Sequence, residues 1–408
     1  MESTSEILSL QTTLVEALDV FRAEIAASKL PEPSLNTSRP HPMDDITYLS
    51  TPRMFEARKA ALACLGLLKT LVRAPYDALA ADTLSGYVPA SLRLAADLDL
   101  ATIIGDTEDG MDRNELHNKS AVYLPDMINH PDPAYRRKTD PSHCAFQMAY
   151  DTDLPYLGPI SWCSSVRGEA TRLALVMDAI GAVSDAGVVT DFPWKEIWEG
   201  KDAIVDIGGG QGTLCCSLAI RYPEIKRLIV QDLPACQEAA ESNIASKNLL
   251  ERVSFEVQDF FTPQKRNGKY IFILQNVLHD WSTEDGALIL RQVRDVLNEE
   301  NKLLIIESLI QSAVASNAGP SVAESLSKLD SLVYSIIPPP PFVPVDFGQA
   351  SHIQNAMNLG LLAVCNAFER TPHQMEEMVA KAGLRIKEVH PTRCSIAFIH
   401  SAVAQFQS

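Results

Sequence analysis

The run Ala203-Ile204-Val205-Asp206-Ile207-Gly208-Gly209-Gly210-Gln211-Gly212-Thr213 constrains the fold more than any other stretch of the chain. An apolar strand that passes directly into a glycine-rich turn is how the first strand of an open parallel sheet meets a ligand, because backbone amides without side chains can approach it closely. The next apolar segment, Arg227 to Gln231, leads into Asp232, where a carboxylate can accept both hydroxyls of a ribose. Together these residues point to a nucleoside-bearing ligand. A dinucleotide fingerprint wants a third glycine opening the helix, and Thr213 stands there instead. The compact grouping of Gly208, Gly209, Gly210 and Gly212 suits S-adenosylmethionine better than NAD.

Around this turn the chain alternates strands and helices. Strands are expected at Ala203–Ile207, Arg227–Gln231, Ser254–Val257, Tyr270–Gln275 and Lys302–Glu307, with helices near Thr213, Ala235 and Asp285. That alternation builds a parallel, doubly wound α/β sheet of Rossmann-like type. The last two strands, Arg385–Val389 and Cys394–His400, read as a hairpin through His390-Pro391-Thr392-Arg393, which sets an antiparallel strand into the sheet.

The first third of the chain is written differently. Apolar residues at helical spacing (Ile7, Leu10, Leu14, Leu18, Phe21, Ile25) predict a helical arm over Glu6–Ser28, followed by a proline-rich linker near 31–42. A second helical region runs from Arg53 to Leu100, and its stretch Ala60–Leu68 is apolar enough to be core or a dimer face. We divide the chain into an N-terminal all-helical dimerisation domain, 1–144, and a ligand-binding domain, 145–408, joined by a long helix to about Ala182. The segment Ser312–Gln349, with Pro338 to Pro341 in a row, is either a surface insertion or a lid.

With 35 Lys+Arg against 52 Asp+Glu the net charge is −17, and no basic run interrupts the acidity, which argues against nucleic acid or an anionic membrane as partner. The eight cysteines show no Cys-x-x-Cys pair and no zinc spacing, so reduced thiols, no metal and a cytoplasmic location are expected.

His279, in Leu278-His279-Asp280-Trp281, lies just past the fourth strand, and Glu307 ends the fifth. Both therefore belong to the carboxyl rim that carries the glycine turn. Glu369 precedes the helix from Pro372. Singly, His279 reads as a helix-capping or solvent-facing ring, Glu307 as an ordinary strand-end carboxylate and Glu369 as an acid in a helix's first turn.

Taken jointly, the glycine turn, Asp232-Leu233-Pro234, Leu278 to Trp281 and Glu369-Arg370-Thr371 resemble the plant-type and fungal small-molecule O-methyltransferases, in order and spacing from Ala145 onward. The resemblance implies a class I methyltransferase fold with a degenerate winged-helix dimerisation domain, S-adenosylmethionine as cofactor and a homodimer. It makes His279 the general base, with Glu307 and Glu369 orienting it. Asp206, Gly208, Gly210, Asp232, Asp259, Phe260 and Gln275 fall on cofactor positions; Tyr150, Tyr156, Ile160, Met357 and Asn358 fall on the substrate wall.

Two departures stand out. The family carries a basic residue four positions before the histidine, where this chain has Gln275, and Gly105 to Ser120 is too short for both a recognition-type helix and a wing. Either the proline-rich insertion at 330–349 compensates for the missing part of the chamber, or the chamber is reshaped for other work. Three functions stay open: O-methylation of a phenolic or enolic secondary metabolite; dehydration or pericyclic rearrangement of a polyketide by an enzyme that keeps the cofactor; and a silent subunit. Thr213 disfavours an NAD-dependent reductase.

Overall fold

The computed structural model describes residues 5–34, 40–45, 47–73, 120, 122–136, 140–158, 160–166, 169, 185–265, 268–311, 314, 318–329, 334–393 and 399–406. Helix α1 spans Glu6–Ala27, capped by Ser5, and buries Leu10, Thr13, Ala17 and Ile25 along one stripe. Helix α2 spans Pro52–Val72 behind the cap Thr51, whose hydroxyl also donates to Glu24 Oε2 of α1 at 2.6 Å. One hydroxyl thus starts one helix and ties it to the other.

One face of the Ala60–Leu68 stretch is core. Ala60, Ala61, Ala63 and Cys64 pack against Leu10 and Ala17, while Leu62 and Leu65 face outward. Beneath this pair lie Val322, Leu326, Ile337, Val343 and Phe347, so the proline-rich segment is neither a loose insertion nor a free lid. It is the floor of the helical arm. Glu56 of α2, fully buried, accepts the Tyr334 hydroxyl at 2.6 Å and pairs with Lys59, whose amine stands 4.2 Å over the Phe347 ring. The expected continuation of α2 beyond Arg73 and the region 105–119 lie outside the described residues, as do 170–182 of the expected joining helix; its described start is broken, with Ala145–Tyr150 ending at the left-handed Asp151 and a separate helix at Trp162–Ser165. Helix α3, Ala145–Tyr150, opens the second part of the chain.

A seven-stranded sheet follows, ordered β3-β2-β1-β4-β5-β7-β6. The strands are β1 Ala203–Ile207, β2 Leu228–Asp232, β3 Val253–Val257, β4 Tyr270–Gln275, β5 Lys302–Ser308, β6 Leu384–Thr392 and β7 Ile399–Phe406. β1 to β5 pair in parallel; β7 runs antiparallel to both β5 and β6. The doubly wound sheet with one reversed strand is therefore present.

The hairpin differs from expectation. His390, Pro391 and Thr392 belong to β6, with Pro391 opposite His400, so the link lies beyond Thr392. A proline fits here because β6 is the edge of the sheet and needs no donor on its outer side.

The sheet is buried on both faces, which is why its central strands read as unbroken apolar runs. Ile204, Ile271 and Ile273 point into one core; Ala203, Val205, Phe272 and Leu274 point into the other. Its longer described helices are α4 Thr213–Arg221, α5 Gln237–Ser246, α6 Thr283–Arg294, α7 His352–Cys365 and α8 Pro372–Lys381. No described helix is long and apolar enough to cross a membrane. The strand order reverses at β1 and β4, and ligands of open α/β sheets bind at the carboxyl ends there.

Candidate active site

Three of the four turn glycines are required by the protein's own packing. A Cβ on Gly209 would stand 2.7 Å from Asp206 Oδ2, one on Gly212 2.8 Å from Val230, and one on Gly208 2.8 Å from Val277. Gly210 is different: its φ is +54° and a Cβ there would enter open space. This is the cradle a ligand can occupy. Its amide donates to Asp232 Oδ2 at 2.8 Å, and Leu233 N donates to the other oxygen at 2.7 Å, so the expected ribose anchor is turned toward the glycines.

Asp206 is 2% exposed. Burial, then the neighbouring carboxylates of Asp185 and Asp232, push its pKa up to about 7. Burial also raises Asp232, against the pull of its two backbone amides. Phe260 lies beside the turn, 3.6 Å from a Cβ built on Gly208, and its ring meets Trp281 edge-on. Asp259 caps its own loop by accepting from Phe261 N at 2.9 Å. Gln275, at the end of β4, donates its side-chain amide to Asp185 Oδ1 at 2.9 Å. Asp185 was not foreseen; 90 residues separate it from Gln275, and nothing near it in sequence marks it.

On the far side of β4 the histidine site is assembled. Glu307, next in line after the Gln275–Ile306 pairing, accepts from Val277 N at 3.2 Å and Leu278 N at 2.7 Å, which pins the turn that carries His279. His279 Nδ1 stands 3.0 Å from Glu369 Oε1 and 3.5 Å from Glu307 Oε2. Glu369 is positioned by its own amide, which donates to Asn358 Oδ1 at 2.7 Å. Arg370 was also missed. It is 1% exposed and forks across the same turn, donating to the carbonyls of Leu278 and Trp281 at 2.6 Å each.

Burial opposes charging His279, but the carboxylates of Glu369, Glu307 and Asp280 outweigh it and hold the imidazole pKa well above its ordinary value. Glu307 is itself pushed up to about 7, by burial first and with Glu369 adding, against His279 and Arg370. The ligating atoms of His279, Glu307 and Glu369 lie within 4.8 Å of one another, close enough to hold a metal ion. In this geometry Nδ1 of His279 faces both carboxylates.

The substrate-wall residues divide. Tyr150 and Tyr156 join Phe146 and Trp162 in an aromatic cluster, with Phe146 stacked 4.9 Å from Tyr150 and tilted 5.2 Å from Tyr156. Ile160 is 77% exposed and stands apart from that cluster, where Trp162 takes the packed position. Met357 and Asn358, on α7, are half-buried, and Asn358 is committed to Glu369.

The chain is similar to known proteins in both sequence and fold. Residues 173–330 match the O-methyltransferase domain family. The O-methyltransferase gedA of Aspergillus terreus is 28% identical over 243 residues, 58% of this chain and 46% of that protein. The chain spans about half the length of the curated relatives it matches. Among solved structures, the O-methyltransferase NcsB1 with S-adenosylmethionine and a hydroxynaphthoic acid superposes with TM-score 0.51 at 19% identity, over 71% of this chain and 69% of that one. A structure described as a pericyclic reaction enzyme superposes with TM-score 0.60 at 17% identity, over 97% of this chain and 100% of that one. At such identities the superpositions speak for the fold. Residues 173–330 are thus similar to the O-methyltransferase domain family, and the fold is that of the class I methyltransferases.

Proposed function

We propose that this protein is an S-adenosylmethionine-dependent O-methyltransferase that methylates a phenolic or enolic hydroxyl of a small aromatic or polyketide secondary metabolite. The observation that carries the reading is His279 Nδ1 at 3.0 Å from Glu369 and 3.5 Å from Glu307, on the sheet rim that also bears the glycine turn. NcsB1, bound to S-adenosylmethionine and a naphthoic acid, and the fungal O-methyltransferase gedA support it.

The residues at the turn fit the cofactor: the open position at Gly210, the carboxylate of Asp232 at its amide, and the Phe260 ring beside Gly208. Asp206, Gly208, Gly210, Asp232, Asp259, Phe260 and Gln275 would hold it. When bound, S-adenosylmethionine supplies an electrophilic methyl group on a sulfonium.

A phenol of pKa ~10 is mostly protonated at neutral pH. His279 takes that proton at Nε2 while the two carboxylates facing Nδ1 stabilise the imidazolium that results. General-base assistance of this kind is worth about 10²–10⁴-fold. Tyr150, Tyr156 and Met357 are assigned to the acceptor's wall. We also place the protein in the cytoplasm as a homodimer; the described cysteines are free and, Cys236 aside, buried. The test is a labelled methyl donor with a panel of phenols, using wild type and His279→Ala. Equal incorporation by both enzymes removes the base from His279, and none by either removes the activity.

One observation favours a second reading. Because its carboxylates keep His279 protonated over a wide pH range, the ring is also equipped to donate a hydrogen bond to a carbonyl. That role suits cofactor-retaining dehydration or pericyclic rearrangement, and the pericyclic reaction enzyme shares the fold. Substrate conversion without release of S-adenosylhomocysteine selects this reading over methylation.

A further inference from the structure

The two carboxylates that face His279 belong to separate segments of chain, which meet just beyond them. β5 ends at Ser308, one residue past Glu307, and Leu309 forms an isolated parallel bridge with Arg370, one residue past Glu369. Ile310 N donates to the Arg370 carbonyl at 2.9 Å. A single rung joins the segments but does little to stop them pivoting about it.

Helix α7 supplies the further fixings. Gln354, 2% exposed, donates from Nε2 to Ser308 Oγ and to the Leu309 carbonyl, at 3.1 Å each. Asn358 accepts from Glu369 N at 2.7 Å. The two amides are four residues apart, so they lie on one face of the helix, about 6 Å apart along its axis. One grips the segment that carries Glu307 and the other the segment that carries Glu369. The helix between them does not stretch, and each bond satisfies a backbone group that burial would otherwise leave unpaired.

We infer that Gln354 is a positioning residue: with Asn358 it sets the separation of Glu307 and Glu369, and so how the His279 ring is held between them. Its partners are Ser308 and Leu309, so it acts through the neighbouring Glu307. His279 Nδ1 stands 3.0 Å from Glu369 and 3.5 Å from Glu307, a range over which a few tenths of an ångström make or break a hydrogen bond. The effect of Gln354 on rate rests on the methyl transfer proposed above; its effect on the ring does not.

The test is an NMR titration of histidine-labelled protein, the His279 signal being identified by its loss in His279→Gln. Gln354→Met removes both donors at nearly equal volume. It should move the His279 pKa toward the ordinary value, as Glu369→Gln does, and lower kcat for methyl transfer by about 10–100-fold with little change in KM for the donor. Asn301→Leu is the control. That buried amide sits at the opposite end of β4 and β5, accepting from Tyr270 N at 2.7 Å and donating to the Val296 carbonyl at 3.0 Å, so its loss should lower the melting temperature without moving the ring. Ser308→Ala removes one of the two acceptors and should shift the ring by less; it carries the test if Gln354→Met does not fold. A ring moved by Glu369→Gln but by neither Gln354→Met nor Ser308→Ala overturns the positioning role, as does an equal shift in Asn301→Leu. A ring unmoved by Glu369→Gln overturns the pairing and the positioning with it. A ring that moves as expected in a protein that transfers no methyl group keeps the positioning and removes the methyltransferase reading.

Discussion

Glu369 Oε1 stands 3.0 Å from His279 Nδ1 across 90 residues of sequence, and both side chains are shielded from water. Their pairing holds the imidazole pKa above its ordinary value, so the free base is scarce at neutral pH but strong where it forms.

Methyl transfer should therefore rise with pH through an apparent pKa well above that of a free imidazole. In Glu369→Gln that pKa should fall back toward the ordinary value, with a lower plateau. Rate–pH profiles of the two proteins check this; superimposable profiles would separate Glu369 from the base.

Stability should run the other way. His279 has its pKa raised on folding, so its contribution is complete below the unfolded value and disappears as pH climbs through the folded one. Glu307 and Asp206, each pushed up to about 7, bind more protons folded than unfolded between the ordinary carboxylate range and about pH 7. All three shifts have one sign, so the melting temperature should decline from pH 5 to pH 8. A melting curve that improves over this range contradicts the shifts.

Arg370 satisfies two carbonyls of the histidine turn with one guanidinium, and burial lowers its pKa only to about 10, so it stays charged. Arg370→Met leaves Glu307 and Glu369 without that cation and should cost on the order of 3–5 kcal/mol in denaturant unfolding. Arg370→Lys keeps the charge but cannot fork, and should retain most of the fold while losing activity. A neutral result for both variants would show the clamp to be incidental.

Gly210 and Gly200 have φ values of +54° and +72°, and a Cβ at either meets nothing within 4 Å. Alanine should strain both backbones by about 1–2 kcal/mol. Only Gly210→Ala should also weaken S-adenosylmethionine binding, because only that Cβ occupies the ligand's cradle. Calorimetric affinities of the two variants, compared at matched stability loss, decide the point.

The outward apolar residues Leu62, Leu65, Leu71 and Val72 of α2, with Leu8 and Val15 of α1, should meet a second copy of the chain. Light scattering at micromolar concentration should return a dimer, and Leu65→Glu a monomer. A wild-type monomer refutes the assembly.

What could be read from the sequence was what is encoded locally. β1 and β4 fall on their expected residues because a buried strand is a short apolar run, and the glycine turn and Leu278 to Trp281 sit where neighbouring residues put them. His279 and Glu307 were placed on one rim by the two strand ends that carry them, while Glu369 joined them only through the family resemblance. Asp185 and Arg370 were illegible for the opposite reason: their roles exist only where distant segments meet, Asp185 with Gln275 and Arg370 with the carbonyls of Leu278 and Trp281. Asn358 was assigned to the substrate wall, yet its oxygen is spent on Glu369 N, a backbone contact that side-chain pattern does not encode. Pro391 marked a turn in sequence and an edge strand in space, since only the strand order shows that its missing donor costs nothing.

The proline-rich floor under α1 and α2 runs through Phe347 into α7, whose Asn358 grips Glu369. Helical arm and histidine site are thus joined through one continuous stretch of chain. Substitutions that loosen the arm are therefore expected to shift the Asn358–Glu369 contact, although they lie far from the rim.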